Sequence, residues 1–140
     1  MNNEPKQVIV VRKDLHMRSG KIGSQCAHAS MKVILDAGIY ETRNRYNNEH
    51  PEKITSFSID LSEVLKQWLE GKFTKIVVSV DSEAELLELQ KQAKEAGILN
   101  ALITDCGLTE FHNVPTNTCL AIGPDWPDKI NNLTGHLKLL

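Results

Sequence analysis

The chain has 140 residues, enough to bury a real core and few enough to expect one domain. Sixteen Lys and Arg against eighteen Asp and Glu leave a formal charge of −2, which excludes a global polycation. No apolar run approaches the length of a membrane span, and Met1-Asn2-Asn3-Glu4-Pro5 lacks the apolar core of a signal peptide.

Three cysteines (Cys26, Cys106, Cys119) with no Cys-x-x-Cys argue against a disulfide framework or a structural zinc site and suit a reducing cytosol. The five histidines show no metal-ligand spacing. The expectation is a soluble cytoplasmic protein with no membrane partner, no metal and no cofactor. The charge is uneven: residues 1–50 carry eight basic against five acidic side chains, residues 51–140 eight against thirteen. A local basic patch near Arg12, Lys13, Arg18 and Lys21 could receive phosphate.

In chain order, Lys6 to Lys13 reads as a strand around the apolar run Val8-Ile9-Val10-Val11. A charged loop follows, and Ser19 and Gly20 supply cap and turn chemistry for a helix from Lys21 to about Ala37, stopped by Gly38. Lys21 falls in the first helical turn, where the peptide dipoles disfavour a cation. Such a cation, beside free amide hydrogens, makes a good anion site. Lys21, Gln25, His28 and Lys32 share one face, and a solvated stripe is its ordinary reading. Ile22, Cys26, Ala29 and Val33 mark the core side. Residues Tyr40 to Ser58 are polar and broken by Pro51; they extend the helix or form an excursion that frames a groove.

Leu61 to Leu69 is an amphipathic helix ended by Gly71, and Thr74 to Val80 is a strand. Glu83 to Ala96 is a helix opened by a capping box at Ser82-Glu83-Ala84-Glu85 and closed by Gly97. Ile98 to Thr104 and Thr118 to Ile122 are strands, the latter ended by Gly123-Pro124. A short helix spans Asp128 to Leu133, and the apolar tail to Leu140 docks. The alternation implies a mostly parallel sheet: a small α/β sandwich with a mixed four-stranded sheet covered by helices on both faces. One domain over 1–140, with a variable polar segment at about 39–60, is expected.

Two clusters can carry chemistry. One is the loop and helix start around Lys21. The other is Asp105-Cys106-Gly107-Leu108-Thr109 with Thr118 on the next strand. Ligands of α/β sheets sit at the carboxyl ends of strands, and both clusters meet there if the first and third strands run parallel. A fixed positive charge for an oxyanion or phosphate, a carboxylate that positions or activates water, and two hydroxyls then converge. Taken singly, Asp before Gly is an ordinary turn residue and Thr118 an ordinary strand residue. Cys106 with His28 or His112 would make a thiol nucleophile, although buried cysteine is mostly inert packing. There is no G-x-G-x-x-G, no P-loop and no G-x-S-x-G.

Together these clusters resemble the type-2 peptidyl-tRNA hydrolases. Three pieces carry the resemblance: Val10-Val11-Arg12-Lys13-Asp14-Leu15 through Gly20-Lys21 to Gln25-Cys26-Ala27-His28-Ala29; Asp105-Cys106-Gly107-Leu108-Thr109 with Thr118-Cys119-Leu120-Ala121-Ile122-Gly123-Pro124; and Ile130 with Leu133-Thr134-Gly135-His136-Leu137-Lys138-Leu139. The resemblance implies hydrolysis of the ester joining a peptidyl group to the terminal ribose of tRNA, without a metal, on a mixed four-stranded α/β fold that is often a homodimer. Its implicated residues match at Lys21, Asp105, Thr109 and Thr118; Gln25 and His28 fall in the same motif as supports, and Arg12 and Arg18 are candidates for substrate contact. Leu108 stands where many relatives carry a basic residue, Gly23 and Ser24 replace small alanines, and the segment 39–70 is longer than in compact members. The alternative is a non-catalytic RNA- or protein-binding adaptor on the same fold.

Overall fold

In a computed structural model, which describes residues 3–46 and 51–140, the first element is strand β1, Lys6–Arg12. Gln7 to Val11 are all buried, so the run shows no alternation: both of its faces are covered. A short 3₁₀ turn, Lys13–Leu15, leads to helix α1, Ser19–Ala37. The N-cap is Arg18, which makes no side-chain cap bond; Ser19 and Gly20, expected to supply the cap and turn, are helical instead. Lys21 is therefore the third helical residue, in a first turn without an acidic side chain.

Strands β2, Ile39–Tyr46, and β3, Pro51–Ser58, form a separate antiparallel hairpin. It is an excursion, not an extension of α1. Cross-strand pairs hold it: the Tyr40 and Phe57 rings lie 5.3 Å apart and the Thr42 and Thr55 hydroxyls 2.9 Å apart. The variable polar segment falls mostly here, apart from residues 47–50, His50 included, which lie outside the described residues.

Helix α2, Glu63–Glu70, starts two residues later than its apolar pattern, because the Ser62 hydroxyl caps it by accepting from the Leu65 amide at 3.3 Å. Strand β4, Lys75–Val80, precedes helix α3, Glu83–Glu95. The Ser82 hydroxyl accepts from the Glu85 amide at 3.2 Å, and the Glu85 carboxylate accepts from the Asp81 amide at 2.7 Å. That is the expected capping box, with its return bond displaced by one residue. Strands β5, Asn100–Asp105, and β6, Thr116–Asp125, helix α4, Pro127–Thr134, and the short strand β7, Lys138–Leu139, complete the chain.

The main sheet has five strands in the order β5-β6-β1-β4-β7. The fifth is the docked tail, which pairs Leu139 with Val78 and Lys138 with Ser79. Only β1–β4 is a parallel pair; the other three are antiparallel, so the sheet is mixed but not mostly parallel. The reason is β6, which enters between β5 and β1 against both. It also runs on through Gly123-Pro124, because a bulge in its register with β1 absorbs the residue that lacks an amide hydrogen.

Helices cover both faces. Leu86, Leu89 and Ala93 of α3 and Ile130 of α4 pack on Val8, Val10, Leu120 and Ile122. Ala29 and Val33 of α1 pack on Ile9, Val11, Ala101, Ile103, Cys119 and Ala121. Since β1 and β5 both run antiparallel to β6, they are parallel to each other. Their carboxyl ends, Arg12 and Asp105, and the start of β6 lie along one edge of the sheet.

Candidate active site

At that edge the N-terminal turns of α1 meet the end of β5. The Lys21 ammonium donates to Asp105 Oδ1 at 2.8 Å and to Thr109 Oγ1 at 2.6 Å. It also lies 5.6 Å from the centre of the Phe111 ring. The two charged side chains are each 11% exposed. The carboxylate supplies the negative charge that the first turn of α1 lacks, and so offsets the unfavourable placement of a cation there.

Asp105 is held from several sides. Its Oδ2 accepts from the Gly107 amide at 2.9 Å, and the Gln25 amide nitrogen approaches Oδ1 at 3.4 Å. The turn reading and the site reading of Asp105 are thus both correct, one for each oxygen. Gly107 has φ +87° and its Cα faces the Val114 backbone, where a Cβ would approach the carbonyl oxygen to 2.5 Å. Only glycine fits this turn. The Lys21 ammonium, first among the causes, holds the Asp105 carboxyl below the ordinary carboxylate value; the Gly107 and Gln25 donors act the same way, and burial opposes them.

Beneath lies Gln25, 1% exposed, whose carbonyl oxygen accepts from the Thr118 hydroxyl at 2.6 Å. Its place on a solvated stripe is corrected. The buried line of α1 runs Gln25–Ala29–Val33, an i, i+4, i+8 row against the sheet, while Ile22 and Cys26 are only half-buried. A glutamine is tolerated there because its amide is satisfied at both ends. Thr118 is fully buried as well and reaches the cluster through Gln25, not directly. The Cys119 thiol donates to the backbone carbonyl of Gln25 at 3.2 Å, and burial, with the Cys26 sulfur next, pushes it up to about 12.

The remaining candidates stand apart. Arg12 forks onto Asp14 at 2.7 and 3.1 Å and donates to Glu83 and to the Asn117 carbonyl, so its guanidinium is engaged within the fold. Arg18 is 91% exposed, 3.9 Å from Glu110. His28 is exposed one turn beyond Gln25, and Lys32 pairs with Asp36 at 3.2 Å. Cys106 is exposed, and among the described residues no hydrogen bond joins it to His28 or His112. Among the described residues no three His, Cys, Asp or Glu side chains group as a metal site requires, and no helix is long and apolar enough to cross a membrane. Phe111 was not singled out from sequence; its only signal is an aromatic ring two residues after Thr109.

Two recesses flank the cluster. A cleft of about 510 Å³ has Thr109, Phe111, His16, Arg18 and His112 in its walls. A shelf of about 530 Å³ is bounded by Ala27, His28, Met31, Lys32, Leu35 and Ile103. A more apolar groove of about 670 Å³, between α1 and α2 and walled by Trp68 and Phe73, lies away from Lys21 and Asp105.

The family described as peptidyl-tRNA hydrolase PTH2 matches residues 5–140. The peptidyl-tRNA hydrolase of Methanothermobacter thermautotrophicus is 43% identical over 96% of this chain and 99% of its own. That of Thermococcus onnurineus is 38% identical, covering 96% and 97%. A probable peptidyl-tRNA hydrolase 2 of Drosophila melanogaster is 34% identical over all of this chain and 64% of its own. The matches span the β1–α1 junction, the end of β5 and the start of β6 alike, and the chain belongs to the PTH2 family of peptidyl-tRNA hydrolases.

Proposed function

We propose that this chain is a peptidyl-tRNA hydrolase acting through Lys21. It cleaves the ester between a peptidyl or N-blocked aminoacyl group and the 3′-terminal ribose, releasing free tRNA. The observation that supports this best is the Lys21 ammonium held between Asp105 and Thr109 at the open edge of the sheet. An acyl ester is already a good electrophile, so a placed water and a stabilised oxyanion suffice.

Water adds to the acyl carbon and the carbonyl oxygen becomes an oxyanion, which the Lys21 ammonium stabilises. The bond to the ribose oxygen then breaks; that oxygen takes one proton of the water, the other passes to solvent, and the peptide leaves as a carboxylate. Asp105, with its proton affinity lowered, is a poor resting place for that proton. It orients Lys21 and, through the free lone pair of Oδ2, the water. Thr109, an exposed residue, accepts from Lys21 through its hydroxyl, which keeps its own hydrogen to donate. Thr118 and Gln25 are positioning residues beneath.

The same reading takes 1–140 as one hydrolase domain acting in the cytosol as a homodimer. Light scattering in solution tests the dimer. The decisive experiment is release of labelled amino acid from N-acetylaminoacyl-tRNA. Wild type should release it, and Lys21→Ala should lower kcat about 10²- to 10³-fold. A rise in KM alone would move Lys21 to phosphate binding. Unchanged hydrolysis would remove it from the mechanism, and no release by wild type would favour the adaptor. Cys106→Ser should leave the rate intact, as a thiol mechanism would not.

A further inference from the structure

The two recesses beside the cluster differ in chemistry, and so do the two halves of the ester. One half is an acyl chain ending in an amino-acid side chain; the other is a ribose carrying a base and a phosphate. Resting on the hydrolase reading, we infer that the substrate lies along the axis of α1. The acyl side chain sits on the shelf of Ala27, Met31, Leu35 and Ile103, and the terminal nucleoside sits in the cleft of Phe111, Arg18 and His112.

The cleft shares a wall with the cluster, and the shelf is built from neighbours of the cluster's residues in the chain. Thr109, which accepts from Lys21, is itself a wall of the cleft, and Phe111 lies under the same ammonium. On the other side, Ile103 stands two residues before Asp105 on β5, and His28 one turn past Gln25 on α1. From Lys21 to Met31 the helix rises about 15 Å, so a carbonyl at Lys21 leaves room for a side chain and the next peptide unit before the shelf ends. The shelf is bounded mainly by apolar groups, and Met31 is 58% exposed in a place where an aliphatic side chain would cover it. His28 stands at its rim, where a ring N–H can donate to a peptide carbonyl.

The cleft suits a nucleoside. Phe111 offers a ring for the base. Arg18 projects into solvent, where a phosphate can meet it. Of the two carboxylates on that wall, Asp14 is neutralised by the Arg12 fork and Glu110 lies 3.9 Å from Arg18. The shelf's one ammonium, Lys32, is paired with Asp36 at 3.2 Å. The opposite orientation would set a phosphate over Met31 and Leu35, beside that paired lysine, and leave an apolar side chain among Arg18 and the two histidines.

The test uses N-acetyl-leucine and N-acetyl-glycine carried on one and the same tRNA body. Wild type should favour the leucyl ester about tenfold or more in kcat/KM. Met31→Glu, at an exposed position that does not threaten the fold, should bring the two esters to within about threefold of each other. Ile34→Ser, in the neighbouring α1–α2 groove that shares Ala27 and Met31 with the shelf, should keep the preference; its loss there would place the acyl side chain in the groove instead and overturn the shelf. Phe111→Ala should lower kcat/KM for both esters in the same proportion. Equal wild-type rates overturn the orientation alone, as does a Met31→Glu defect shared equally or a Phe111→Ala defect confined to one ester. Release of neither ester by wild type overturns the hydrolase reading and this inference with it.

Discussion

Lys21 and Asp105 each make sense only in the presence of the other. A lysine in a first helical turn opposes the peptide dipoles, and a carboxylate 11% exposed would be costly unpaired. Their pairing lowers the proton affinity of Asp105 and fixes the sign of its pH dependence. A depressed carboxylate contributes stability that is fully present above its unfolded value, about 3.9, and that is lost as pH falls through its lower folded value. Asp105→Asn should therefore be less stable than wild type at pH 7 in urea unfolding, with the gap closing below about pH 4. The kcat/KM profile of wild type should likewise show no acid limb near pH 6; a limb there would mean that Asp105 titrates as the base. The second residue-scale prediction concerns Thr118. Thr118→Val keeps the shape, removes the donor to Gln25 and leaves a buried carbonyl oxygen unpaired, at a cost of about 1–3 kcal/mol. Loss of kcat should exceed any change in KM, and Thr118→Ser should restore it; a Val variant with full kcat would make Thr118 a packing residue. At this scale the sequence pointed to Lys21 and Asp105 through an oddly placed charge and a strand-end Asp-x-Gly. It could not show Gln25 as buried, because a polar side chain reads as solvated until its partners, eighty and ninety-three positions away, are known.

Elements that bury a face announced themselves, and those that bury none did not. β1 is legible as an unbroken β-branched run, and α3 by its capping box and its apolar row at Leu86, Leu89 and Ala93. The β2–β3 hairpin carries no such signal: of its residues only Ile54 and Ser56 are even half-buried, so no alternation marks its two strands. The topology was partly hidden for another reason. Strand-helix alternation favours parallel pairs, but nothing in the composition of β6 tells which neighbours it will join. Because the hairpin covers nothing in the core, the fold should not need it. Its ends, Ile39 and Ser58, are register partners and therefore lie about 5 Å apart. Replacing residues 40–57 with two glycines should leave the far-ultraviolet circular dichroism of α1–α4 and the melting temperature nearly unchanged. A loss of more than about 2 kcal/mol, the scale of one buried apolar side chain, would show that the hairpin packs on the core after all.

Across the whole molecule the charge division acquires a direction. Residues 1–50 hold the excess of basic side chains, and they include β1, α1 and the loop bearing Arg18, the elements that present Lys21. The acidic excess lies in residues 51–140, so a polyanion is drawn to one part of a chain whose total charge is −2. Several of the cations are already spent on internal partners, Arg12 on Asp14 and Lys32 on Asp36. With Leu108, 76% exposed, offering none next to Thr109, the phosphate contacts should be few. Two or three such contacts release a comparable number of counterions, so kcat/KM below saturation should fall roughly 10- to 40-fold between 50 and 200 mM salt. At saturating substrate kcat should hardly move, since Lys21 and Asp105 are shielded from salt by their burial. A slope twice as steep would require cations beyond those near Arg18, and Arg43, Arg45 and Lys53 on the hairpin would be the first to neutralise. The hairpin deletion, harmless to the fold, would then weaken tRNA binding and flatten the salt slope together.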